Sequence, residues 1–286
     1  MNILTLTDPK YPARLQALHK PPQRLYISGD TKLWESLKDR PAVAIVGSRK
    51  TTDYGRETTK YFVNALGARG VIIVSGLALG IDSIAHQAAL DAGTPTIAVL
   101  PAGFKNIYPR SHMGLARQIV NSGGVLVSEY PPDEKIAYKG NFVARNRIIA
   151  GLADVLLIPE ATIKSGSLHT ANFALNIGRD IFAVPGPINS SSSEGCNNLI
   201  KTGAYVADNP DEILNKLGID ATSPHELPLV DDATQTKIIQ FLADGPQSAD
   251  NIYTELSVDI QTFNQSLSML EINGHIKPLG NNIWSL

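Results

Sequence analysis

Six short, nearly uninterrupted apolar runs punctuate the chain, at residues 42–46, 71–74, 96–100, 125–127, 155–158 and 181–184. A strand with one wet face alternates apolar and polar residues. A continuous run belongs to a strand buried on both faces. Between the runs the spacing is helical, over 53–68, 81–92, 115–120, 142–152 and 168–177, with glycines at or near the helix ends. Alternation of buried strands and helices predicts an α/β fold, a doubly wound, Rossmann-like parallel sheet covered on both sides. Ligands of such sheets bind beyond the carboxyl ends of the strands, so the segments after the first five runs are the places to search.

The flanking regions read differently. Residues 1–40 carry Pro9, Pro12, Pro21 and Pro22 and resemble a lead-in segment packed on a Rossmann-like domain of 41–217. Residues 218–230 read as a linker. Within 231–286, helices are expected near 233–243, 249–256 and 260–273, followed by a hairpin around Gly280-Asn281, the pattern of a small winged-helix domain. A length of 286 residues with 43% apolar and 18% charged residues suits a soluble globular chain. The single cysteine, Cys196, excludes an intramolecular disulfide framework and a cysteine-based zinc site. No apolar run approaches about 18 residues, and the first residues lack the pattern of a secretory signal, so the cytoplasm is the expected compartment.

Charge divides the chain. Residues 1–207 hold 22 Lys/Arg against 15 Asp/Glu, a balance of +7, whereas 208–286 hold 3 against 12, a balance of −9. The first part suits a polyanion and the second repels one.

The loops after the strands carry residues suited to phosphates. Gly47, Ser48 and Arg49 follow the first run, without the spacing of a dinucleotide fingerprint or a P-loop. Ser75 and Gly76 follow the second, just before Asp82 and His86, which share a helix face as an acid/base or metal pair or as a structural hydrogen bond. Lys139, Asn141, Phe142, Arg145 and Arg147 crowd one helix start with cations, an amide and a stacking face. Ser165, Gly166 and Ser167 open the next helix, as an anion site or a cap. Lys201 is a further candidate cation. Several such loops on one sheet edge describe a track, which suits single-stranded nucleic acid.

The motifs Gly47-Ser48-Arg49, SGLALGIDSIAH (75–86), TIAVLPAG with a following YP (96–109), NFVARNRIIAGL (141–152), SGSLHTA (165–171) and AVPG (183–186) together resemble the bacterial DNA-processing protein A family, DprA or Smf. The resemblance implies an extended Rossmann fold that binds single-stranded DNA and forms a homodimer. It implies loading of RecA recombinase onto incoming DNA during natural transformation, with no catalytic residues, cofactor or metal and no membrane association. Carried over by motif, Arg49, Lys139, Asn141, Phe142, Arg145 and Lys201 lie on the DNA track, and Arg147 faces either DNA or the fold.

A second reading is an enzyme of the nucleoside-monophosphate phosphoribohydrolase class, with Asp82, His86 and Glu160 as acid/base groups. The PGGxGTxxE motif of those enzymes is absent, since the comparable stretch runs Pro159-Glu160-Ala161-Thr162-Ile163-Lys164-Ser165-Gly166-Ser167. A third is a nucleotide-sensing module. In the winged-helix region the recognition-position helix, 260–273, has no Lys or Arg, so docking to protein rather than duplex DNA is expected.

Overall fold

A computed structural model describes residues 2–136, 138, 140–219, 230, 232–243, 247–256, 258–280 and 282–285. The chain divides into two compact units, residues 1–220 and 221–286. Most of the expected linker, 220–229, lies outside the described residues, as does Lys139.

The first unit is built on a nine-stranded sheet. Its strands are β1 (Asn2–Thr5), β2 (Arg24–Gly29), β3 (Ala42–Ile45), β4 (Ile72–Ser75), β5 (Thr96–Leu100), β6 (Val125–Ser128), β7 (Val155–Ile158), β8 (Asp180–Ala183) and β9 (Tyr205–Val206). They lie in the order β1-β2-β6-β5-β4-β3-β7-β8-β9. The pairings from β6 through β9 are all parallel. The strands β3 to β7 are completely buried, which is why their sequences do not alternate. Helices α3 (Asp53–Ala68), α4 (Ile81–Asp91), α5 (Met113–Asn121), α6 (Gly140–Leu152), α7 (Ser167–Asn176), α8 (Glu194–Lys201) and α9 (Pro210–Lys216) connect or follow these strands. The expected α/β class is therefore the one observed. Helix α8 lies within 186–230, a stretch whose sequence is loop-rich.

Residues 1–40 do more than pack on the sheet. The two strands β1 and β2 extend it antiparallel beyond β6. The short helices α1 (Ala13–Gln16) and α2 (Thr31–Ser36) bring Leu15, Leu18, Leu33 and Trp34 into the main core. Leu15 and Leu18 press on α6 where Gly151 leaves room, since a Cβ there would sit 2.8 Å from the Leu15 side chain. Arg14 fastens the same junction, donating to the carbonyls of Leu152 and Arg40 and pairing with Asp154 at 3.0 Å. Cys196 is buried, donates its thiol to the carbonyl of Ile158, and has its pKa pushed up to about 12 by burial, so it is an unreactive core residue.

The second unit holds α10 (Ala233–Ala243), β10 (Gln247–Ser248), α11 (Ala249–Leu256), α12 (Ile260–Ile272), β11 (Lys277–Gly280) and β12 (Ile283–Ser285). Its sheet runs β10-β12-β11. Ile238, Ile239, Leu242, Ile252, Phe263, Leu267 and Leu270 form its own core. Asp259 caps α12, accepting from the backbone and the hydroxyl of Thr262.

Leu15 joins the lead-in segment to α6, so Leu15→Ala should destabilise the first unit by about 2–5 kcal/mol. Denaturant unfolding followed through Trp34 fluorescence measures this. A change within about 0.5 kcal/mol would mean the segment is only appended.

Candidate nucleic-acid interface

In a parallel α/β sheet each crossover helix starts at the carboxyl edge of the strands. The loops after β3, β4 and β5 and the start of α6 meet there, around a small cleft lined by Arg49, Gly76, Leu79, Pro101, Tyr108 and Phe142. Arg49 is exposed, and its guanidinium lies over the ring of Phe142, 5.5 Å from the centroid. The Phe142 ring meets Tyr108 edge-on at 5.2 Å. Tyr108 is 48% exposed and Leu79 47%. The result is an exposed cation and an exposed ring, Tyr108, with the half-buried ring of Phe142 between them. Arg110 and Lys50 are exposed on the loops that flank it. Base stacking on such rings contributes about 1–3 kcal/mol per base.

The backbone beneath Arg49 is fixed from several sides. The Ser48 amide donates to the Glu160 carbonyl at 2.8 Å, and the Ser48 carbonyl accepts from the Ile81 amide. Ser48 is buried, with its hydroxyl on the Lys50 carbonyl. Gly80 has φ +80° and lies so close that a Cβ would fall 2.8 Å from Arg49 Cα, so only glycine suits both the turn and the approach.

Arg145 lies under the rings rather than among them. It is 3% exposed, and its guanidinium donates to the carbonyls of Gly76 and Val99 and to the Asn146 side chain. Burial lowers its pKa to about 10. Asp82, also buried, accepts from the Gly76 amide at 3.1 Å. Burial pushes the Asp82 carboxyl up, against the pull of Arg145 and the backbone amides of Ala78 and Gly76. A Cβ on Gly76 would collide with the Arg145 guanidinium and stand 2.6 Å from the Asp82 carboxylate. The close approach of Arg145 and Asp82 thus accounts for glycine at 76.

Other expected site residues are also internal. Ser75 is buried with its hydroxyl on the Ile45 carbonyl. Asn141 is buried and donates to the Pro101 carbonyl, tying the start of α6 to the loop after β5. Arg147 faces the fold, paired with Glu129. Ser165 and Ser167 bond each other's hydroxyls at 2.7 Å, while Gly166 between them is exposed and its carbonyl accepts from Asn146. Gly47 is pressed against the Glu160 carbonyl and Ile81. Lys201 is exposed at the end of α8 and is not among the residues that line the cleft. Tyr108 and Leu79 line the cleft and Arg110 is exposed beside it, although residue type alone does not single them out. The YP of the 96–109 motif is the signal that pointed to the first.

The acid/base candidates are engaged elsewhere. The chain order reverses between β3 and β7, the usual crevice for a nucleotide. Glu160 fills it, buried, accepting from the amide and hydroxyl of Thr52 and packed against Gly55. Thr96 donates to the Ile73 carbonyl, so His86 Nδ1 donates to the Thr96 hydroxyl at 2.8 Å. Burial lowers the His86 pKa to about 3. Among the described residues no group of three His, Cys, Asp or Glu side chains could hold a metal, and no helix is long and apolar enough to cross a membrane.

A family described as DNA recombination-mediator protein A matches residues 2–218. The chain belongs to that family. A second match, to the DprA winged helix domain, covers residues 225–282. The chain is 46% identical over 208 residues to protein Smf of Escherichia coli K12, covering 72% of this chain and 54% of the relative. It is 40% identical over 210 residues to DNA processing protein DprA of Streptococcus pneumoniae R6, covering 73% and 72%. The match thus spans little more than half of the Escherichia coli relative. Among solved structures, DNA processing protein A from Streptococcus pneumoniae superposes with a TM-score of 0.69 at 38% identity, covering 75% of this chain and 74% of the other. DNA processing protein A from Helicobacter pylori, solved for insight into its single-stranded DNA binding mode, gives 0.66 at 36%, covering 75% and 95%.

Two predictions separate floor from surface. Arg145→Ala strands Asp82 without its partner and should cost about 3–5 kcal/mol, whereas Arg49→Ala should stay within about 0.5 kcal/mol. Equal losses in urea unfolding would contradict the division. The unfolded chain protonates His86 below its ordinary value near 6.5, and the folded chain does so only near 3. The stability this contributes is complete above about pH 6.5 and falls with pH by up to about 1.4 kcal/mol per unit down to about pH 3. His86→Leu should flatten that part of the stability curve, and an unchanged slope would place the titration elsewhere.

Proposed function

We propose that the chain binds single-stranded DNA on the carboxyl edge of its sheet and acts as a recombination mediator, protecting incoming DNA and loading RecA recombinase during natural transformation. The observation that carries the DNA reading is the row of exposed Arg49, half-buried Phe142 and exposed Tyr108 above a fixed floor. A base can stack on the rings while the guanidinium meets a phosphate, and neither contact depends on base identity. Lys139, by motif, is a further phosphate cation. The RecA and homodimer parts of the proposal rest on family membership. We further infer action in the cytoplasm and no catalytic turnover, since Glu160, Asp82 and His86 are all committed to internal bonds.

The winged-helix unit has another task in this reading. The exposed positions of α12 include Gln261, Asn264, Gln265, Ser268, Met269 and Ile272, with no cation among them. Duplex binding would lack its main electrostatic contribution, and docking to protein fits better. Micromolar duplex binding by this unit at physiological salt would defeat that part.

Fluorescence anisotropy of labelled oligo-dT in a salt titration tests the main proposal. Binding should weaken steeply with salt, and Phe142→Ala should cost about 1–3 kcal/mol, or roughly 5- to 150-fold, with Arg49→Ala reducing both affinity and salt slope. No binding at low salt would overturn the mediator reading, and release of free base from a nucleoside monophosphate would replace it with the hydrolase.

A further inference from the structure

A second concave surface of the first unit, separate from the DNA cleft, has the opposite electrostatic character. It runs between the outer face of α3 and the carboxyl ends of β8 and β9, and holds about 420 Å³, within the range of small-ligand sites. Tyr54, Glu57 and Tyr61 stand at helical spacing on one face of α3. Val184, Pro185 and Asp208 come from the strand ends opposite. Tyr54 is 50% and Tyr61 55% exposed. The rings are nonetheless held in place. The Tyr54 hydroxyl donates to the Pro185 carbonyl at 2.8 Å, and Tyr61 meets Phe62 edge-on at 5.6 Å.

The charges lining this groove are both negative, Glu57 and Asp208. The first turn of α9, which packs on α3, adds Asp211 and Glu212 beside Asp208. Lys60 pairs with Glu57 at 3.0 Å, but that pair is exposed and readily exchanged. The first unit as a whole, residues 1–220, holds 23 Lys/Arg against 19 Asp/Glu, so this acidity is local. A nucleic acid would bring its phosphates against carboxylates here and is disfavoured. A cation gains twice, from the faces of two tyrosines and from charge-assisted hydrogen bonds to two carboxylates.

We infer that this groove takes the cationic side chain, arginine or lysine, of a partner protein. The tyrosines form the walls, Glu57 and Asp208 bind the charged head, and Val184 and Pro185 cover the aliphatic stem. The inference is independent of the DNA reading and shares no residue with the cleft.

The test uses the full chain with labelled tyrosine rings, their NMR signals assigned through Tyr54→Phe and Tyr61→Phe. The probe is the dipeptide Ac-Arg-Arg-NH2, with Ac-Glu-Glu-NH2 as control. The basic dipeptide should shift both tyrosines saturably and the acidic one should not. The double variant Glu57→Gln, Asp208→Asn changes exposed groups and should keep the wild-type thermal midpoint. It should weaken the basic dipeptide by about tenfold or more while oligo-dT binding stays at the wild-type level. Absence of a saturable shift, equal shifts from both dipeptides, or undiminished binding in the double variant would overturn the inference. Movement of the same signals by oligo-dT would also overturn it, making the groove part of the DNA track. Loss of oligo-dT binding in the unaltered chain would bear on the DNA reading alone.

Discussion

The candidate interface depends on one buried guanidinium. Arg145 reaches from α6 into the gap between β4 and β5, where the carbonyls of Gly76 and Val99 accept from it beside the Asp82 carboxylate. A charge in that position is costly unless it is bonded and compensated, and this one donates to three acceptors near the Asp82 carboxylate. The arrangement fixes the angle and height at which α6 meets the sheet edge. One turn before Arg145, Phe142 is thereby set beneath Arg49, and the loop after β5 supplies Tyr108 to its edge. The surface cation and the buried cation have different tasks: one is free to meet a phosphate, and the other holds the platform.

The same edge is closed to the chemistry its fold class often hosts. Glu160 occupies the crevice where the strand order reverses, with its carboxylate on Thr52 and its main chain on Ser48. The open cleft is displaced toward β4, β5 and α6, where the walls are aromatic and aliphatic. Such a surface suits stacking and charge neutralisation, and the described residues that line it include no carboxylate or histidine. The division of charge fits this: the sheet domain carries the positive balance, while the winged-helix unit is acidic and offers no cation on the exposed face of α12.

Much of the fold was legible because burial on both faces of a parallel strand leaves a continuous apolar run, and all six such runs are strands. The strands β1 and β2 were not, since their place depends on antiparallel pairing with β6, about a hundred residues away. Helix α8 was hidden behind Ser190 to Ser193, and β10 is only two residues long. For the site, residue type located the region but not the direction of each side chain. Arg49, Arg145 and Arg147 look alike in sequence. One is exposed, one is bonded to main-chain carbonyls, and one is paired with Glu129. Ser75 and Asn141 suggest ligand contacts by chemistry and make internal ones. Tyr108 and Leu79 lie in separate loops, so only the folded chain joins them to Phe142. Lys201 ends α8, outside the residues that line the cleft.

The most direct test of the central claim is photocrosslinking of an oligo-dT bearing 5-iododeoxyuridine to the full chain, with the attachment sites mapped by mass spectrometry. The account predicts crosslinks at Phe142 and Tyr108, lost when excess unlabelled oligo-dT competes. Crosslinks confined to the winged-helix unit, or to α8 around Lys201, would contradict it.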